Sequence, residues 1–253
     1  FEYLEDPKVK ASGMNYSELA KKYPKIKSRF DAFSLPIVTV ETDDMELIEE
    51  MFSRLNEAVP LNSAEKRRAI GGDLVKAIDM VAKHPFFTKK VKFGNGRYQH
   101  KETAARLLFL LHNLREGKVL DTKKPLLDAF AAEFKQGRAS EVNTLKKELT
   151  GLLGKLVPVF VDKDALLMAQ ASIPIYVLTY KQLVGERKAS KFARTKLLKF
   201  QDARTTNRDA AENAIASADY ELLEFDRLSQ QGTNDSSSIK ERVRILAARL
   251  TRM

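Results

Sequence analysis

A chain of 253 residues, 43% hydrophobic and 31% charged, can form one large domain or two modest ones and is too apolar to be disordered. It has no cysteine and only His84, His100 and His112, which excludes disulfides, thiolate metal sites and a cysteine nucleophile and argues against a histidine-rich metal centre. Forty-four Lys and Arg against 34 Asp and Glu leave a net charge of +10, which suits either a polyanionic partner or solubility alone.

No stretch approaches the ~18 apolar residues of a membrane span, so no membrane partner is expected and the expected location is cytoplasmic. No signal-peptide pattern opens the chain and its first residue is Phe1, so it reads as a processed or truncated piece of a longer product.

The clearest strand signal is Leu35–Glu41, β-branched and bounded by a Ser and a Thr-Asp-Asp turn. Ile48, Met51, Phe52 and Leu55 then step at helical spacing, opened by a capping box Asp43-x-x-Glu46. Leu74, Val75, Ile78, Val81 and Ala82 form the next apolar stripe. A hairpin is expected at Val91–Phe93 and Arg97–Tyr98 around Gly94-Asn95-Gly96. Ala104–Leu114 is apolar on most sides, as a central helix would be. Val142, Leu145, Leu149, Leu152, Leu153 and Leu156 continue the helical period, followed by Ala218, Leu222 and Phe225. The last helix is marked by Ile239, Val243, Leu246 and Leu250, with Ser238-x-x-Glu241 as its capping box. The fold expected is mainly α: a small α/β region over 1–70, then a helical domain over 71–253, with a boundary at Gly71-Gly72.

Several segments between Gly13 and Ile70 carry a family resemblance. They are Gly13-Met-Asn-Tyr-Ser-Glu-Leu19, the strand Leu35–Val40, Met51-Phe-Ser-Arg-Leu-Asn56, and Val59-Pro-Leu-Asn-Ser-Ala-Glu-Lys-Arg-Arg-Ala-Ile70. Together they resemble the distal half of the ParB/sulfiredoxin-like domain of the GmrSD family of modification-dependent restriction and phage-defence proteins. The stretch Glu224–Asp235 with Ile239–Leu246 resembles, less specifically, the helical end of such proteins. In that family an Asp-Gly-Gln-Gln-Arg motif precedes this region and an HNH nuclease domain often follows it, and this chain has neither. The resemblance implies that the complete protein binds and hydrolyses a nucleotide, an NTP with Mg, and acts on phage or modified DNA. It also implies that this piece is not catalytic by itself, and that the missing N-terminal half of the same protein is its partner. A homo-oligomer is left open.

The resemblance places Arg54, Asn56 and Glu65 at the nucleotide. Arg54 can fork onto a phosphate and Asn56 can meet a base or ribose edge. Equally, Arg54 can complement a helix C-terminus, Asn56 can stop the helix, and Asn62-x-x-Glu65 can be a capping box. The neighbours Lys66, Arg67 and Arg68 suit phosphate contact or plain solvation.

Residues 181–208 hold nine Lys and Arg against Glu186 and Asp202. On one continuous helix Arg187, Lys191 and Arg194 would share a face, opposite Ala189, Ala193, Leu197 and Phe200. Arg187, Lys188, Lys191, Arg194 and Lys199 are therefore the candidate nucleic-acid contacts, with DNA as the expected partner. A second basic cluster, Lys89 to Lys101, interleaves Phe93 and Tyr98 and suits either a plain hairpin or stacking on a strand. His112 on an apolar helix should be packed, and His84 before Pro85 should end one. The alternative to the restriction-family reading is a self-contained helical module that binds DNA, RNA or protein without a nucleotide.

Overall fold

The computed structural model describes residues 11, 13–34, 39, 41–44 and 62–253. The fold is mainly α, and no strand occurs among the described residues. Most of Leu35–Glu41 lies outside the described residues, as does the whole segment expected to be helical from Ile48 to Leu55, with Arg54, Asn56 and Glu46 of the expected box. The chain divides into two compact units, 1–58 and 59–253.

The first unit contains helices α1 (Tyr16–Lys22) and α2 (Pro24–Asp31). A capping box opens α1: Asn15 Oδ1 accepts the Glu18 amide (3.0 Å) and Glu18 Oε2 accepts the Asn15 amide (2.9 Å). Pro24 starts α2, where its missing N–H costs nothing. The two helices are joined by the Tyr16 hydroxyl donating to Asp31 Oδ1 (2.9 Å).

The second unit opens with α3 (Ser63–Ile70) and α4 (Asp73–Ala82). Gly71-Gly72, read from the sequence as a boundary, is a packed corner inside this unit. Both glycines have positive φ, +70° and +92°, and a Cβ on Gly72 would stand 2.5 Å from the carbonyl oxygen of Lys135. Only glycine lets that backbone approach so closely. Leu74, Val75, Ile78, Val81 and Ala82 are all buried, as their stripe requires.

The central helix α5 (Gln99–Leu114) buries Leu107, Leu108, Leu110 and Leu111 completely. Around it pack α4, α6 (Lys124–Glu133), α7 (Ala139–Leu156) and α8 (Ser172–Gly185). A second layer of α9 (Arg194–Asn213), α10 (Tyr220–Gln230) and α11 (Ser236–Arg252) meets the first through α8 and α11. No helix among the described residues is long and apolar enough to cross a membrane.

Two local expectations are corrected. Residues 91–98 form no hairpin: Phe86–Lys90 is a wide helical turn, Gly96–Tyr98 a tight one, and the amide of Lys92 donates to Leu167 O (3.2 Å). Phe86 and Phe87 explain this, because both are fully buried and fix the chain to the core before a strand can start. The final helix begins two residues before Ser238. That serine is buried and donates to Leu228 O (3.2 Å), while the Ser236 amide is capped from a distance by Asp121 Oδ1 (2.8 Å).

His112 packs against Phe130 and Phe134 with Nδ1 3.2 Å from Glu141 Oε1, as its helix position implied. His84 follows α4, and its Nδ1 accepts the Phe86 amide (3.2 Å). His100 lies between Phe87 and Phe93, with Nε2 3.4 Å from Phe93 O. Burial holds His84 and His100 below the ordinary imidazole pKa; at His100 the Phe93 carbonyl opposes this and Lys163 adds to it. The unfolded chain therefore takes up protons first as pH falls through about 6.5. Stability present above that pH is lost on acidification until the lower folded-state values are passed. The melting temperature is expected to fall as pH is lowered from about 6.5 toward those folded-state values, and His100→Gln should remove part of the fall. A melting temperature flat across that window contradicts this account.

Candidate nucleic-acid interface

The basic segment is built on a break between two helices, not on one helix. The end of α8 is a Schellman motif: Lys188 N–H donates to Leu183 O (2.7 Å) and Arg187 N–H to Val184 O (3.0 Å). Arg187 occupies the left-handed position at φ 58°, a place usually taken by glycine. A short turn, Ala189–Lys191, follows, and Phe192 anchors it by inserting among Phe160, Tyr176 and Tyr180. Helix α9 then starts at Arg194 and buries Leu197 and Phe200. The expectation that Arg187, Lys191 and Arg194 share one helix face is thus corrected, because the chain reverses its backbone conformation at Arg187.

The cations differ in how they are neutralised. Arg194 is committed inward: its Nε and Nη2 fork onto the fully buried carboxylate of Asp164 at 2.9 and 3.1 Å. Lys188 has only an exposed pair with Glu186 (2.9 Å), of the kind worth about 0–1 kcal/mol. Arg187, Lys191 and Lys199 have no carboxylate partner among the described residues. Lys196 joins them, and the sequence did not single it out. Its Nζ donates to Leu250 O (3.1 Å) at the end of α11. Partial burial lowers its pKa, and the neighbouring Lys191 and Lys199 ammonium groups lower it further. Lys196 is therefore close enough to Lys191 and to Lys199 for each of them to repel it.

Glu65 lies elsewhere in the second unit and completes the capping box of α3. Its Oε2 accepts the Asn62 amide (2.7 Å), while Asn62 Oδ1 accepts the Glu65 amide (3.0 Å). The same Oε2 is 3.3 Å from Arg97 Nη2. The Asn62 amide above all, with Arg97, holds this carboxyl below the usual carboxylate range. Of its basic neighbours, Lys66 is exposed and Arg68 reaches the Tyr98 hydroxyl (3.1 Å). Arg67 is neither solvated nor free for phosphate: it is buried between Glu102 and Asp128. Among the described residues no three His, Asp or Glu side chains stand close enough to hold a metal ion.

The second basic cluster is dispersed. Lys90 pairs with Asp162 (2.7 Å), Lys101 pairs with Asp79 (2.8 Å), and His100 is buried. Comparison of the chain with protein-family models, curated proteins and solved structures finds no match.

Proposed function

We propose that the second unit is a nucleic-acid-binding module that holds the phosphate backbone of DNA with Arg187, Lys191, Lys196 and Lys199. The observation that carries this reading is the group Lys191, Lys196 and Lys199, in which the outer two repel Lys196 and none has a carboxylate partner among the described residues. Such a group is a standing cost to the free protein and is relieved by a polyanion, whose phosphates replace condensed counterions. Arg187 and Lys188 extend the group along the exposed break between α8 and α9. Phe192 holds that break in place, so little conformational entropy is lost on binding.

The resemblance to GmrSD-like proteins supports DNA as the polyanion and the cytoplasm as the location. In this reading the second unit is the DNA-holding part of a defence protein, and nucleotide binding belongs to the first unit, which contains Arg54 and Asn56.

The test is binding to a short duplex by fluorescence anisotropy across a salt series. Lys191→Gln, Lys196→Gln and Lys199→Gln are combined in one variant whose melting temperature is checked. The slope of log K against log salt should become shallower by about 2.7, three contacts at ~0.9 each. A folded variant with an unchanged slope removes this group from the interface.

A further inference from the structure

A cavity of about 390 Å³ opens in the second unit between α8, α9, α10 and α11. Its walls are mostly apolar, formed in part by Ile175, Leu198 and Phe225, and Met168 and Leu198 are partly exposed. Three guanidinium groups line it as well: Arg194, Arg204 and Arg242.

Arg242 is the informative one. It is 2% exposed, among the most deeply buried side chains in the protein. Its guanidinium donates only to main-chain carbonyls: Nε to Ser238 O (3.3 Å), Nη1 to Ala171 O (3.4 Å) and Nη2 to Thr233 O (2.7 Å). No carboxylate pairs with it among the described residues. A guanidinium has five N–H donors, so two remain for something else. Burial, with repulsion from Arg204, pushes its pKa down to about 10. A buried charge normally comes with a counter-charge, because desolvating it alone is costly.

The neighbouring pairs do not supply that counter-charge. Asp164 is taken by the fork of Arg194. Asp226 is shared by two arginines, receiving Arg204 Nε at 2.6 Å and Arg208 Nη1 at 3.1 Å. Four guanidinium groups thus face two carboxylates, and the region has a surplus of two positive charges. A monocarboxylate ligand would leave one of them unmet. A phosphate monoester carries about −1.5 to −2 at pH 7 and meets both. The apolar walls ask for an ester group that is aromatic or aliphatic. The volume is near the lower end of the roughly 300–1,000 Å³ typical of ligand pockets, so the ligand is a single small molecule.

We propose that this cavity binds a small phosphate monoester, with its phosphate toward Arg242 and Arg204 and its apolar ester group against Ile175, Leu198 and Phe225. The site is separate from the surface lysines that hold DNA in the reading above.

The experiment is isothermal titration of the full chain with phenyl phosphate, alongside benzyl alcohol, benzoate and inorganic phosphate. Phenyl phosphate should bind saturably and more tightly than each of the other three. Arg242→Gln should weaken it about 10- to 150-fold, the loss of a charge-assisted hydrogen bond. Should Arg242→Gln fail to fold, Leu198→Trp, at the partly exposed wall, must abolish binding while leaving the melting temperature unchanged. No saturable binding of phenyl phosphate to the unaltered chain overturns the proposal. So does benzyl alcohol binding as tightly as phenyl phosphate, or binding that survives in every folded variant.

Discussion

Replacing Arg67 by methionine is expected to destabilise the second unit by about 3–5 kcal/mol, the usual cost of breaking a buried ion pair from one side. Arg67 is 3% exposed on α3 and bridges Glu102 on α5 and Asp128 on α6, with Nη1 2.7 Å from Asp128 Oδ1. Burial lowers its pKa, Asp128 opposes that, and the nearby Arg106 adds to the lowering. Removing the guanidinium leaves two half-buried carboxylates, of which, among the described residues, only Glu102 keeps another cation, Arg106 (3.3 Å). At roughly 2–4 °C per kcal/mol for a unit of this size, the melting temperature should drop by about 6–20 °C. Adding Glu102→Gln and Asp128→Asn to Arg67→Met should recover part of the loss, because the cost is the uncompensated charge. Lysine should rescue poorly, since one ammonium cannot fork across two carboxylates. A melting temperature within a degree or two of the parent would show that Arg67 holds nothing together.

The second large effect is expected at Arg194, and it separates structure from interface. Asp164 is fully buried and accepts four hydrogen bonds: two from Arg194, one from the Val161 amide (3.0 Å) and one from the Leu166 amide (3.1 Å). Arg194→Ala removes the only cation paired with Asp164 among the described residues and leaves the carboxylate with two amide donors. Because Arg194 is itself about one-third exposed, the expected cost is roughly 2–4 kcal/mol, in the lower part of the range for buried pairs. Lys199→Gln on the same helix, exposed and without a carboxylate partner among the described residues, should stay within about 0.5 kcal/mol of the parent. Chemical denaturation of the two variants measures both. Equal stability of the two would mean that Arg194 is one more surface cation.

These two sites also show what the sequence could and could not reveal. The stripes of α4, α7 and α11 were legible because one face is apolar and the other is not, and α5 was legible as an apolar run long enough for a central helix. Helix α8 was not, since Ile173, Ile175, Tyr176, Val177 and Leu178 are buried on every side and leave no period to read. The break at Arg187 was hidden because the left-handed residue of its Schellman motif is arginine, while Gly185 lies two positions earlier. Asn62-x-x-Glu65 was readable as a box because its partners are three residues apart. The partners of Arg67 are 35 and 61 residues away, and that of Arg194 is 30 away, so pairing could not be told from solvation. The surplus charge at Arg242 follows only from knowing which carboxylates are already taken.

The central claim is that this chain holds nucleic-acid phosphate through a few cations that have no carboxylate partner among the described residues. Its most direct test is the salt dependence of the unaltered chain on a short DNA duplex. Four contacts, from Arg187, Lys191, Lys196 and Lys199, predict a slope of log K against log salt of about −3 to −4. A slope shallower than about −0.9, less than a single phosphate contact, or no measurable binding at low salt, would contradict it.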